Sequence, residues 1–175
     1  MPSKLPTVAI IGQTNVGKSS LFNRLTRART AIVAREAGTT RDNVVGKVSY
    51  KRRASSPDEA SQAEFWLIDT AGLKPAEDEF EATIQDQIAD ASAAADVILV
   101  MVDSTVYPSD ADRQLAKKAL KSGKPVLLIA NKADLKGSLH IDEFKRLGIK
   151  TIIKTSAEHN IGISDLLDNI ADLIP

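Results

Sequence analysis

Short apolar runs and segments of helical period alternate along the chain. The apolar runs predict six strands, at about residues 7–11, 44–50, 65–69, 97–102, 126–130 and 151–153. Apolar residues three or four apart predict the helices between them, at about residues 17–26, 79–95, 109–123 and 141–147, with a last helix that includes 166–174. The polar segment 27–42 shows neither period and is predicted to be a long loop, and the connection 54–63 is predicted to be the exposed loop of a hairpin.

Strands that are nearly all apolar and alternate with helices indicate an α/β fold with a mostly parallel sheet. We therefore predict a three-layer sandwich, in which a six-stranded, mostly parallel sheet carries helices on both faces. The 175 residues fit a single domain. Ligands of open α/β sheets bind at the carboxyl ends of the strands, and the polar motifs of this sequence follow strands.

The first strand and the first helix are joined by a glycine-rich segment, Gly12-Gln13-Thr14-Asn15-Val16-Gly17-Lys18-Ser19. This segment matches the P-loop, in which backbone N–H groups surround the phosphates of a nucleotide. Lys18 is expected to place its charge beside the β- and γ-phosphates, and Ser19 to offer a hydroxyl ligand to Mg²⁺. Ser20 is expected to donate to the α-phosphate. The fold is thereby predicted to be that of a P-loop NTPase, since a glycine loop without a ligand would need neither Lys18 nor Ser19.

A second motif, Asp69-Thr70-Ala71-Gly72, follows the third predicted strand. Asp69 is expected to support Mg²⁺, commonly through water, and the Gly72 N–H to face the γ-phosphate. An Asp-x-x-Gly segment alone could be a simple turn. Its position in a chain that also has a P-loop favours the nucleotide site.

A third motif, Asn131-Lys132-Ala133-Asp134, follows the fifth predicted strand and predicts the reader of the base. The Asp134 carboxylate can accept hydrogen bonds from the N1–H and N2 amine of guanine, which adenine cannot donate from the same edge. Asn131 is expected to connect this loop to the P-loop, and the Lys132 stem to cover the base. After the last strand, Ser156-Ala157-Glu158 is expected to offer the Ala157 N–H to guanine O6.

The overall charge gives no general attraction to nucleic acid, because Lys plus Arg and Asp plus Glu both number 23. The chain has no cysteine, which excludes disulfides and thiolate metal sites. His140 and His159 are interpreted as ordinary surface residues. No apolar run reaches the roughly 20 residues of a membrane span, and residues 1–6 lack the apolar core of a signal peptide. We expect a cytoplasmic protein without a membrane partner.

The three motifs in this order resemble those of the translation-factor-type P-loop GTPases. The finer resemblance is to the Der (EngA) family, the double-domain Era-like GTPases, and particularly to the first of that family's two GTPase domains. It is carried by residues 15–25, Gly38-Thr39-Thr40-Arg41-Asp42, Asp69-Thr70-Ala71-Gly72-Leu73 with the acidic run to Phe80, Ser122-Gly123-Lys124-Pro125 and Ser156-Ala157-Glu158-His159. The resemblance implies a GTP hydrolase that acts as a nucleotide-dependent switch in assembly of the large ribosomal subunit.

Residue by residue, the resemblance implies that Thr40 senses Mg²⁺ and the γ-phosphate, with Thr39 as the competing candidate. Lys18, Thr40 and Gly72 would then form the catalytic set. Leu73 stands where Ras-like proteins carry a water-orienting glutamine, so turnover is expected to be slow. The family's potassium ion implies Asn15 as a K⁺ ligand beside the bridging oxygens, although Asn15 could instead only stabilise the loop.

The chain also departs from the family pattern. Gln13-Thr14 stands where Arg-Pro is common, and the sequence contains no second P-loop. Residues 1–175 are therefore expected to be one Era-like G domain, the N-terminal domain of a longer protein, with contacts to the large ribosomal subunit or its RNA made through other domains. Two rival functions stay open: a GTP/GDP-regulated binding module with negligible turnover, which Leu73 favours, and, more remotely, a kinase.

Overall fold

The computed structural model describes residues 5–26, 32–35, 42–51, 62–69, 88–89, 91 and 93–175, with the backbone alone for 32–35 and 42–44. Its strands are β1 (Thr7–Gly12), β2 (Ile32–Arg35), β3 (Asp42–Lys51), β4 (Gln62–Asp69), β5 (Val97–Asp103), β6 (Val126–Asn131) and β7 (Ile152–Lys154). Its complete helices are α1 (Lys18–Thr26), α2 (Asp110–Lys121) and α3 (Ile163–Leu173), together with a 3-10 helix over Ile141–Leu147.

The strands form one sheet with the order β2-β3-β4-β1-β5-β6-β7. Strands β4, β1, β5, β6 and β7 are mutually parallel, whereas β2, β3 and β4 pair antiparallel. The predicted α/β class and mostly parallel sheet are confirmed, and all six predicted strands are present. The described part of the sheet has one strand more than predicted, because β2 lies in the segment that was expected to be a loop.

The central strand β1 is apolar because it is buried on both faces. Val8 and Ile10 belong to a core with α1 and α3, whereas Ala9 and Ile11 belong to a second core that includes α2 and the 3-10 helix. All four residues are fully buried. The alternation follows from the two-residue period of a strand, and it produces the predicted three layers.

Helix α2 begins with a capping box. The Ser109 hydroxyl accepts from the Asp112 N–H at 3.2 Å, and the Asp112 carboxylate accepts from the Ser109 N–H at 3.0 Å. The predicted segment 141–147 forms a 3-10 helix instead of an α-helix, and it ends at Gly148 in the left-handed conformation. Of the predicted helix 79–95, the structure describes helical backbone at residues 88–89, 91 and 93–94.

Parallel pairing brings the ends of four strands to one edge of the sheet. In register, Ile10 lies opposite Asp69, Gly12 opposite Met101, and Asp103 opposite Asn131. The P-loop and the motifs that begin at Asp69 and Asn131 therefore start from neighbouring positions. Within the described residues, no helix is both long and apolar enough to cross a membrane.

Candidate functional site

The P-loop leaves β1 in a conformation that requires its two glycines. A Cβ at Gly12 would lie 2.6 Å from the Met101 carbonyl oxygen. Gly17 has φ +105°, and a Cβ there would collide with the Asn131 amide. Asn15 also has a positive φ, of 65°, which asparagine tolerates better than most residues. Any larger side chain at the two glycines would therefore move the loop off the strand ends.

Lys18 lies within the P-loop at the first residue of α1. It is 7% exposed, and its Nζ donates to the Gly12 carbonyl at the opposite end of the loop. Ser19 and Ser20 follow in the first helical turn and are exposed. The free N–H groups of a helix N-terminus favour anions, so the charge, the hydroxyls and the helix end suit phosphate.

Asn131 connects the P-loop to the loop after β7. Its Nδ2 donates to the Val16 carbonyl at 3.0 Å, and its Oδ1 accepts from the Thr155 hydroxyl and from the Ala157 N–H, both at 3.0 Å. The side chain is almost wholly buried, with the residue 4% exposed. The Asn131 amide thus joins the end of its own strand, β6, to the P-loop and to the loop after β7.

Lys132 makes a second connection from the same motif. Its Nζ donates to the Asn15 carbonyl at 2.8 Å and lies 3.1 Å from Asp103 Oδ2. Burial is the largest influence on Asp103 and disfavours its ionised form, but hydrogen bonds from Thr105 and the charge of Lys132 together outweigh it and lower the pKa of Asp103. The hydrogen bond and the ion pair together fix the Lys132 ammonium between the P-loop and the end of β5.

Asp134 follows β6, and its Oδ2 is 3.3 Å from His159 Nε2. The carboxylate side chain is 21% exposed, and the His159 side chain is 59% exposed. His159 is a surface residue, as expected, but it contacts the predicted base reader. Neither the spacing nor the composition of the sequence indicates that contact.

The loop that follows β7 forms the wall opposite the P-loop. Ser156 and Ile161 pair through two backbone hydrogen bonds, of 2.9 and 3.0 Å. Gly162 then turns the chain into α3 with φ +72°, where a Cβ would collide with the Lys154 carbonyl. The Ala157 N–H, expected to meet guanine O6, donates to Asn131 in this structure.

A pocket lies between these walls. The residues that line it come from the P-loop and its helix, from the Asn131 motif and from the loop after β7: Gly17, Ser20, Asn131, Lys132, Asp134, Leu135, Ser156, Ala157 and Glu158. The cavity therefore brings Gly17 and Ser20 of the predicted phosphate-binding segment together with the predicted base-recognition residues at 131, 132, 134 and 156–158. Lys18, Ser19 and Asp69 do not line it.

The donor set near the P-loop suits a hard cation. Ser19 supplies a hydroxyl oxygen, and Asp69 supplies a carboxylate that is fully buried at the end of β4. Mg²⁺ prefers oxygen ligands and keeps several waters, so it needs few protein groups. The oxygen donors of these two residues are of the type that Mg²⁺ prefers, and their role as Mg²⁺ ligands stays a prediction. The other predicted residues of this region, Thr39, Thr40, Thr70, Ala71, Gly72 and Leu73, lie outside the described residues.

Two contacts of the site have no signal in the sequence. Gln13 Nε2 donates to Ser109 Oγ and to Asp112 Oδ1, both at 2.7 Å, and so joins the P-loop to the start of α2. Arg24, in the last turn of α1, donates to the carbonyls of Ala157 and Glu158 at 2.9 and 2.8 Å. The partners lie between 96 and 134 residues away along the chain, beyond the reach of any local pattern.

Comparison with known proteins decides the family of this site. Residues 7–132 match the family described as 50S ribosome-binding GTPase. The chain belongs to this family. Among curated members, GTPase Der of Gemmatimonas aurantiaca is 40% identical over 174 residues, which cover 98% of this chain and 37% of that protein. The resemblance to Der is confirmed, and the chain spans little more than a third of the length of that relative.

Solved structures agree with this assignment. Era of Aquifex aeolicus bound to GDP and AlF₄⁻ superimposes with a TM-score of 0.71 at 29% identity, over 98% of this chain and 57% of that one. Era in complex with MgGDPNP and a segment of 16S ribosomal RNA gives a TM-score of 0.70 at 27% identity, with the same coverage. The predicted P-loop NTPase fold and Era-like GTPase class are thereby confirmed.

Proposed function

We propose that the chain binds GTP and hydrolyses it to GDP and phosphate, and that the two nucleotide states act as a switch. The observation that carries the proposal is the Asn131 amide, which joins the P-loop at Val16 to the wall of the pocket at Thr155 and Ala157. A phosphate site and a base site held by one buried side chain have the relation that a nucleotide requires. Family membership supports the same conclusion.

Guanine is the base that the pocket favours. Asp134 is a lining residue, and its carboxylate can accept from both N1–H and the N2 amine of guanine. Adenine would leave that carboxylate without donors, and a site built on polar pairing rejects such a ligand strongly. Binding must also reorganise the contact between Asp134 and His159, since the carboxylate would turn to the base.

Phosphate binding assigns roles to Lys18, Ser19 and Ser20. The Lys18 ammonium would leave the Gly12 carbonyl for the β- and γ-phosphates, which are stronger acceptors. The Ser20 hydroxyl would donate to the α-phosphate. Ser19 and Thr40 would hold Mg²⁺, with Asp69 in support, and the ion would neutralise charge on the phosphates.

Hydrolysis would be an in-line attack of water on the γ-phosphate, with the Gly72 N–H facing that phosphate. Lys18 and the loop amides stabilise the negative charge that develops on the phosphate oxygens in the transition state. Leu73 offers no polar group to the attacking water, so we expect slow turnover. Asn15, whose side chain is exposed on the P-loop, is the proposed K⁺ ligand, and K⁺ would supply the charge of an arginine finger.

The family description and the relatives support a role in ribosome assembly. We propose that this chain is one G domain, 1–175, at the N-terminus of a longer cytoplasmic protein that contacts the large ribosomal subunit or its RNA through further domains. The description of its family names the 50S ribosome, and one structural neighbour is an Era complex with 16S ribosomal RNA. A module that binds GTP and GDP without turnover in isolation is the second candidate, favoured by Leu73.

Exchange of the base tests guanine recognition. In the variant Asp134→Asn, an amide replaces the carboxylate, so it can donate to O2 of xanthine but no longer accepts twice from guanine. We expect GDP binding to weaken by roughly 100-fold or more, and XDP binding to become the stronger of the two. Unchanged preference for GDP in this variant, measured by calorimetry, would contradict the assignment of Asp134.

A further inference from the structure

Arg24 lies outside the residues assigned to nucleotide binding, yet it contacts their framework. It belongs to the last turn of α1, the helix that begins at the P-loop. Its Nε donates to the Ala157 carbonyl at 2.9 Å and its Nη2 to the Glu158 carbonyl at 2.8 Å. Both acceptors belong to the wall of the base pocket.

We propose that Arg24 is a positioning residue for the base: it fixes the loop 156–158 to the phosphate-binding helix. The proposal rests on the guanine-nucleotide function proposed above. A guanidinium is planar and presents its donors in a rigid fork, so two successive carbonyls can be held in one orientation. A lysine at the same position would offer a single ammonium and could not reproduce that geometry.

Fixing these carbonyls also fixes hydrogen-bond donors. The peptide group is planar and trans, so holding the Ala157 carbonyl sets the direction of the Glu158 N–H. The Ala157 N–H itself is held by Asn131 Oδ1 at 3.0 Å. Arg24 therefore orients the Glu158 N–H and Asn131 holds the Ala157 N–H, two successive backbone donors of the loop that is expected to meet guanine O6.

Two other sets of hydrogen bonds lie within the loop's own chain segment. Ser156 pairs with Ile161, and the His159 N–H donates to Ser156 Oγ at 3.2 Å. These bonds shape the loop but do not attach it to α1. Among the described hydrogen bonds, those of Arg24 join the loop to α1, while Ala157 shares a hydrophobic core with α1. Because that packing stays when Arg24 is replaced, we expect the loss of the two hydrogen bonds to affect base recognition more than folding.

Paired nucleotides can separate positioning from general stability. In 6-thio-GDP a sulfur replaces O6 and accepts hydrogen bonds weakly, whereas N1–H and the N2 amine are kept. In IDP only the N2 amine is lost, which tests Asp134. The variants are Arg24→Ala and Arg24→Lys. The matched control is Arg113→Ala, because the Arg113 side chain makes an exposed ion pair with Asp110 on α2.

For Arg24→Ala we expect roughly tenfold weaker GDP binding, from the loss of two charge-assisted hydrogen bonds that are partly open to solvent. The ratio of the 6-thio-GDP and GDP dissociation constants should fall toward one, while the IDP to GDP ratio stays at the wild-type value. Arg24→Lys should be intermediate, and Arg113→Ala should match the wild type. In turnover, KM should rise and kcat should not, because the proposed role of the loop is in base recognition and not at the γ-phosphate.

A wild-type 6-thio-GDP to GDP ratio in Arg24→Ala would overturn the proposal, even if GDP bound more weakly, because the role would then be structural. The proposal would also be overturned if the 6-thio-GDP to GDP ratio and the IDP to GDP ratio of the dissociation constants fell by the same factor. If Arg24→Ala does not fold, the same ratios measured on Arg24→Lys decide. Absence of GDP binding by the wild type would instead refute the proposed function, and the inference with it.

Discussion

Replacing Asn131 by alanine should both destabilise the protein and weaken nucleotide binding. The amide makes three hydrogen bonds from a side chain that is almost fully buried. At about 1 kcal/mol for each net hydrogen bond, the loss is about 3 kcal/mol. The groups left behind, at Val16, Thr155 and Ala157, add to this figure wherever water cannot reach them.

Thermal unfolding measures this cost. For a domain of this size, about 3 kcal/mol corresponds to a fall in Tm of roughly 6–12 °C. In the wild type, GDP at 100 times its Kd should raise stability by about 2.7 kcal/mol. The same GDP concentration should stabilise Asn131→Ala much less, because the P-loop and the pocket wall no longer share a support.

The matched control is Asn169→Ala on α3. Asn169 also donates from its amide, to the Asp165 carbonyl at 2.8 Å, but this bond is exposed. Exposed substitutions of this kind usually change stability by less than about 0.5 kcal/mol. If Asn131→Ala were no less stable than Asn169→Ala and bound GDP as the wild type does, Asn131 would not be the residue that holds the phosphate site and the base site together.

Three further predictions follow from single residues. Asn15→Gly keeps the positive φ and removes the side-chain oxygen, so turnover should lose its K⁺ stimulation while GDP binding stays within about threefold; retained stimulation in a KCl against NaCl assay would exclude Asn15 as the ligand. Gly162 and Gly123 both have a positive φ, but of the two only Gly162 would bring a Cβ against a carbonyl. Chemical unfolding should show that Gly123→Ala lowers the free energy of unfolding by about 1 kcal/mol and Gly162→Ala by at least about 1 kcal/mol more. Equal losses of stability in the two variants would contradict the predicted clash. Asp103→Asn should have a lower free energy of unfolding than the wild type near neutral pH, and this difference should disappear as the pH falls below the ordinary Asp pKa of 3.8. The reason is that a carboxylate with a lowered pKa in the folded state stabilises the fold above that value, and the stabilisation is lost on protonation. A difference in stability that does not change with pH would contradict this prediction.

The hydrophobic pattern predicts most of this fold because the inner strands are buried on both faces. Strand β5, for example, is a continuous apolar run with six buried residues. Strand β2 escaped prediction because it has four residues at the edge of the sheet and pairs with β3 alone. It contains Ile32 and Val33, which favour strands, but four residues inside an otherwise polar segment give too short a pattern to indicate one.

Some residues of the site can be predicted from the sequence and others cannot. Residues that follow strands and match the P-loop, such as Lys18 and Ser19, can be recognised because the motif carries its chemistry locally. The contacts of Gln13, Arg24 and His159 cannot, because each partner is brought near only by the packed sheet and helices. The sequence also does not indicate that the Ala157 N–H, which is expected to meet guanine O6, donates to the Asn131 side chain in this structure.

Whether the chain is a guanine-specific GTPase is decided by measuring GTP hydrolysis in KCl and in NaCl at equal ionic strength, with ATP as the control nucleotide. We expect slow turnover of GTP alone, stimulated by K⁺. Guanine binding without turnover in either salt would favour the binding module. Equal binding or hydrolysis of ATP and GTP would contradict the reading of the pocket as a guanine site.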